Sequence, residues 1–181
     1  SYQITGNEKG KPLVFIHGWP DTPAEWNKQI EHLKEKYLCI NVELPNYNID
    51  RVGNPWGYDI PNVVTGIANQ IQYLLQSKYS AFQQEGVTLV IHDWGSAIGQ
   101  FLMRRHPFLV SRAVIVDIGD AAPTKTAKQA VYVLAYQLWN IFCFLLPSSI
   151  GNRVMRGYLH KAHSVFFLPT VEMEKHSNGK V

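Results

Sequence analysis

Residues 87 to 107 read VTLVIHDWGSAIGQFLMRRHP, and this stretch decides the fold. Val87 to Ile91 is a β-branched, apolar run with the look of a buried strand. Helix-forming residues follow Gly95 and stop at His106, which precedes a proline. A tight turn joins the two runs, with Asp93 at its apex. A strand that turns sharply into a helix lifts one side chain into a cleft, which is the logic of a nucleophile elbow. An aspartate at that apex points to attack on carbon through an alkyl ester rather than to peptidase chemistry. The bland alternative is a carboxylate capping the helix that follows.

Outward from the elbow, strands and helices alternate. Tyr2 to Thr5 reads as the end of a strand, and Leu13 to Ile16 as a short apolar strand running into His17-Gly18-Trp19-Pro20. Asp21 or Thr22 can cap a helix over about Pro23 to Lys36, with Trp26, Ile30 and Leu33 on one face. Leu38 to Leu44 is the next buried strand. A loop rich in Asn, Pro and Gly follows, from Pro45 to Trp56. A helix from about Pro61 to Tyr79 carries Val64, Ile67, Ile71 and Leu74 at helical spacing. Ser111 to Ile118 forms one more strand, and an apolar segment begins near Ala127. The expected fold class is therefore α/β, a mostly parallel, doubly wound sheet. Residues 1–123 would form the core and 124–181 an incomplete helical segment.

Composition narrows the function classes. Of 181 residues, 46% are hydrophobic and 17% charged, a globular balance. The formal charge of +3 is spread along the chain, and no basic block suggests nucleic acid. Cys39 and Cys143 stand in apolar surroundings without metal-ligand spacing, as buried thiols do. Ser1 opens without a methionine, a basic leader or an apolar signal. That reads as a trimmed N-terminus, and localisation is not legible from it.

HGWP after one strand, HDWGSA after a later one and VDIG at the end of a third together resemble the α/β-hydrolase fold family. Within it they are similar to the aspartate-nucleophile branch, the epoxide hydrolases and haloalkane dehalogenases. The resemblance extends to about residue 160. LVIHDWGSAIG is closer to the dehalogenase elbow. HGWP is closer to the epoxide hydrolases, because the nearest dehalogenases place an asparagine where Trp19 stands. The resemblance implies that Asp93 is the nucleophile, with the Trp19 and Trp94 backbone N–H groups as oxyanion donors. Gly18 and Pro20 shape the donor loop. Asp117, at the end of its strand, is the candidate acid that orients a catalytic histidine, or else a turn cap like Asp120. His17 and His92 are expected to brace loops. Ile91 is bulkier than the small residue usual two positions before the nucleophile. Glu43-Leu44-Pro45-Asn46-Tyr47-Asn48 is similar to the family turn D-x-x-G-x-G with Asn in place of both glycines, a residue that tolerates positive φ.

Gln129 to Asn152 carries no charge, and Ala130 to Leu146 borders on a membrane span in length. Gln137 and Asn140 at its centre, and Pro147 after it, favour a cap helix over a lipophilic pocket. Membrane association through 130–146 and a partner interface are the other readings. Tyr136, with Tyr132 behind it, is the candidate hydrogen-bond donor to an epoxide oxygen, or one more core aromatic.

The resemblance also implies a histidine base after a final strand. His160, His163 and His176 have no strand before them and do not fit. The strand from Ala113 would be an apolar edge that needs a partner, and a further strand is expected ahead of Tyr2. The expected activity is epoxide-hydrolase-like, on small lipophilic substrates with water as co-substrate, and no metal or organic cofactor. The chain would be part of a longer enzyme or half of a split one. The rival readings are a hydrolase-derived structural subunit with a protein partner on its open edge, and a haloalkane dehalogenase.

Overall fold

The computed structural model describes residues 1–19, 21–47, 53–54, 56–116 and 127–147, and from 149 to 158 all but 152 and 156. The chain divides into two compact units, Ser1–Ala121 and Ala122–Val181.

In the first unit five strands form one sheet: β1 (Tyr2–Gly6), β2 (Pro12–Ile16), β3 (Leu38–Val42), β4 (Val87–His92) and β5 (Val110–Val116), in the order β1-β3-β2-β4-β5. β2, β3, β4 and β5 run parallel, while β1 pairs with β3 antiparallel. A local sequence pattern does not carry that reversal. It follows from the short turn after Gly6, whose φ of +102° only glycine adopts freely. A Cβ at Gly6 would also lie 2.8 Å from the Lys34 carbonyl oxygen.

Strand alternation splits the core between two faces. Val14, Ile16, Ile40, Leu89 and Ile91 pack with Val64, Ile71, Ile98 and Leu102. These last four come from α2 (Ile60–Ser77) and α3 (Trp94–Arg105). Leu13, Phe15 and Cys39 face the other way, against Trp26 and Ile30. The helix expected over Pro23 to Lys36 is a 3-10 turn, Pro23–Trp26, followed by α1, Asn27–Leu33. Thr22 caps that turn by accepting from the Ala24 N–H. α2 starts where Asp59 accepts from the Asn62 N–H at 2.7 Å.

β2 is the point at which strand order reverses, since β3 lies on one side of it and β4 on the other. The crevice at the carboxyl ends of β2 and β4 is where ligands bind in open α/β sheets. The loop after β3 is closed nearby by a side-chain clamp. The Asn46 amide accepts from the Asn54 N–H and donates to the Asn54 carbonyl, both at 2.8 Å. Asn46 itself sits at φ +69°, the left-handed conformation that glycine would otherwise supply.

In the second unit, α4 spans Ala127–Leu145. No described helix is long and apolar enough to cross a membrane.

Candidate active site

Asp93 adopts φ +46° and ψ −119°, a region that costs a non-glycine residue about 1–3 kcal/mol. The surroundings hold it there. Gly95 lets α3 press against the end of β2: a Cβ at this position would overlap the Ile16 carbonyl oxygen and lie 2.7 Å from that of His17. Gly18 does the same from the opposite loop, where a Cβ would overlap the Asp93 Cβ and come within 2.9 Å of its Oδ2. The elbow is tight because two glycines remove the atoms that would block it.

Asp93 precedes α3 but makes no capping bond to it. Its Oδ2 instead accepts from the Trp19 backbone N–H at 2.8 Å. That excludes the helix-cap role for this carboxylate and aims it at the loop after β2. Trp94 is the first residue of α3, so its N–H has no intrahelical acceptor. Its side chain is exposed and Trp19 is half-buried.

Ile91 fits without loosening the turn. Gly99, two turns along α3, faces it, and a Cβ there would stand 2.6 Å from Ile91 Cδ1. Sequence reading weighed the bulk of Ile91 without its complement, which lies eight residues away.

His17 is completely buried. Its Nε2 accepts from the Leu44 N–H at 3.0 Å, and its Nδ1 lies 3.0 Å from the Gly18 carbonyl oxygen. Acceptance at Nε2 places the proton on Nδ1. Burial pushes the His17 pKa below its ordinary value, against smaller contributions from the Gly18 carbonyl and nearby carboxylates. The Tyr47 ring stands edge-on to His17 at 4.8 Å. Burial, with a lesser contribution from the Asp93 charge, pushes the Tyr47 phenol up to about 12. Tyr47 thus presents a neutral hydroxyl beside the site, a neighbour the motif reading passed over.

His92 Nδ1 lies 3.2 Å from Glu25 Oε2, and the His92 ring is edge-on to Trp26. Both histidines brace loops, as expected. Asp21, Glu25 and His92 each bring one ligand-type atom within 4.8 Å of the others. Asp21 is exposed, however, and the His92 Nδ1 already faces Glu25. Glu25 is the residue that sequence reasoning missed, because its partner comes from a strand 67 residues away.

Pro20, Asp117 and Asp120 lie outside the described residues, as do His160, His163 and His176. Tyr136 and Tyr132 are exposed residues of α4 in the second unit.

Known proteins agree with this architecture. The alpha/beta hydrolase fold family matches residues 11–141. Epoxide hydrolase 2 of Caenorhabditis elegans is 30% identical over 118 residues, 65% of this chain and 31% of that protein. Cis-3-alkyl-4-alkyloxetan-2-one decarboxylase of Shewanella oneidensis is 30% identical over 152 residues, 83% of this chain and 43% of that protein. A solved epoxide hydrolase variant from Vigna radiata superposes with a TM-score of 0.57 at 26% identity, covering 72% of this chain and 40% of that one. The chain spans less than half the length of each of these three relatives. From its switch-point sheet, its strained elbow and these likenesses, the chain belongs to the α/β-hydrolase fold family and is epoxide-hydrolase-like.

Proposed function

We propose that Asp93 is the nucleophile of a hydrolase that opens lipophilic epoxides through an alkyl-enzyme ester. The observation that carries this reading is the Asp93 carboxylate itself. It is held on a strained turn, bonded across the crevice to Trp19 N–H, and unused as a helix cap. In this reading the two oxygens take different parts. Oδ2 stays with its backbone donor and becomes the ester carbonyl, while Oδ1 attacks an epoxide carbon. One carbon–oxygen bond forms as the ring carbon–oxygen bond breaks, and the ring oxygen leaves as an alkoxide that takes a proton. Tyr136 is the proposed donor of that proton, and Asp117 the proposed acid partner of a histidine base. Water then adds to the ester carbonyl. The Trp19 and Trp94 N–H groups stabilise the oxyanion, and collapse releases the diol and restores the carboxylate. Preorganised donors of this kind contribute about 2.7–4 kcal/mol each. His17 and His92 are held by Leu44, Gly18 and Glu25, so neither serves as the base for that water.

The test is mass spectrometry of the protein after treatment with phenyl glycidyl ether. The expected result is one adduct, located on Asp93 and absent from Asp93→Asn. Equal labelling of wild type and variant would overturn the assignment. The Shewanella relative, with 83% of this chain matched, favours a second strained ring, an alkylated oxetan-2-one. Turnover of that lactone without epoxide labelling would decide for it. A non-catalytic subunit is the reading favoured by the exposed residues of β5. It requires that neither ring reacts and that a partner protein covers that edge.

A further inference from the structure

Two segments must hold register for the proposed chemistry: the loop after β2, which carries the Trp19 N–H, and the elbow after β4, which carries Asp93. The loop leads directly into the 3-10 turn Pro23–Trp26, and that turn is anchored on the sheet. Trp26 is buried, with its ring against Phe15 at a centroid distance of 5.6 Å. The Asn41 amide donates to the Pro23 carbonyl at 2.8 Å. Glu25 therefore projects from a fixed support.

Its carboxylate meets the elbow. Oε2 lies 3.2 Å from Nδ1 of His92, the residue immediately before Asp93. Glu25 itself stands on the turn that continues the Trp19 loop. Oε1 is fully buried and has no hydrogen-bond partner among the described residues. A half-satisfied carboxylate in such a place is costly on stability grounds alone. Burial indeed pushes the Glu25 carboxyl above its ordinary range, against the pull of His92. An apolar side chain of similar size would pack there at lower cost, so the carboxylate needs another explanation.

We propose that Glu25 is a positioning residue: by bonding His92 from the anchored turn that continues the Trp19 donor loop, it ties that loop to the Asp93 elbow. This rests on the reading of Asp93 as nucleophile. A shift of the elbow by a fraction of an ångström turns the Asp93 Oδ1 off its line of attack on the epoxide carbon, which costs rate more than it costs substrate binding. The loss therefore falls on the rate of ester formation.

The experiment follows alkylation of Asp93 in the full-length protein, with phenyl glycidyl ether, by rapid acid quench and peptide mass spectrometry. Three variants are compared. Glu25→Gln keeps an acceptor for His92. Glu25→Met keeps the volume without the bond. His92→Phe keeps the ring edge on Trp26 and removes the nitrogen. The expected result is that Glu25→Met and His92→Phe lower the saturating alkylation rate about tenfold or more. The half-saturating epoxide concentration should stay unchanged, and Glu25→Gln should stay within about threefold of wild type. Thermal melting confirms that each variant is folded; if Glu25→Met is not, His92→Phe carries the comparison with wild type. Wild-type rates in the variants without the bond would overturn the proposal, as would a Glu25→Gln rate as low as that of Glu25→Met. Failure of wild type to label at Asp93 would remove the nucleophile reading itself, a distinguishable result.

Discussion

Ile91 and Ile115 are the same residue on neighbouring parallel strands, paired in register. One is completely buried and the other is 42% exposed. The next pairs toward and away from the site repeat the pattern: Val90 is half-buried opposite an exposed Val114, and His92 opposite an exposed Val116. The difference lies in what covers them. α2 and α3 close over one face as far as β4, and the Pro23–Trp26 turn and α1 close over the other. Among the described residues β5 pairs on one side only, with β4. An apolar strand states what environment it needs, while its neighbours decide whether it gets it. Asp93, Trp19 and Trp94 stand on the covered side, at the ends of β2 and β4.

The sharpest attack on the covered half is Gly95→Ala. The added methyl meets backbone carbonyls of Ile16 and His17, which cannot rotate away. We expect a loss of about 3 kcal/mol or more in chemical denaturation. Next come the paired isoleucines. Ile91→Ala should cost about 2–5 kcal/mol, and Ile115→Ala about 1 kcal/mol or less when measured on this chain. An equal loss at the two positions would dissolve the contrast between the strands. Gly99→Ala should cost about 1–3 kcal/mol by crowding Ile91. Most of that should return in the double variant with Ile91→Val, which no longer carries the Cδ1 that the methyl meets.

The smallest expected effect is a pH dependence. Burial lowers the His17 pKa from its ordinary 6.5. Above that value the imidazole is neutral both folded and unfolded, and its titration contributes no slope. As pH falls below about 6.5, the unfolded chain takes the proton first, so stability declines until the lower folded pKa is passed. His17→Phe should flatten the part of the stability-versus-pH curve that begins there.

Sequence patterns carried a good share of this molecule. The β4–elbow–α3 unit was legible because an apolar run, an aspartate and spaced glycines each have a local mechanical meaning. The loop at Asn46 was legible too, since asparagine tolerates the positive φ that the turn requires. The open edge was expected from Ala113 onward, because no later stretch of this sequence reads as its neighbouring strand. What escaped notice depends on register between distant segments. The antiparallel pairing of β1, the fit of Ile91 against Gly99 and the bond from Glu25 to His92 exist only once the sheet is assembled. Trp19 illustrates the boundary. Its place in a donor loop could be read from HGWP, but the choice of Oδ2 as acceptor is a matter of geometry.

The Asn46–Asn54 clamp has a bearing on how such a protein can change over generations. Two hydrogen bonds between the Asn46 side-chain amide and the Asn54 backbone, one donated and one accepted, join the two ends of a loop beside the crevice. The segment between the fastenings can then gain or lose residues at little cost, because closure entropy grows only slowly with length, about 0.6 kcal/mol per doubling. The clamp makes the stretch beyond Tyr47 a place where length can change between lineages while the two ends of the loop stay joined.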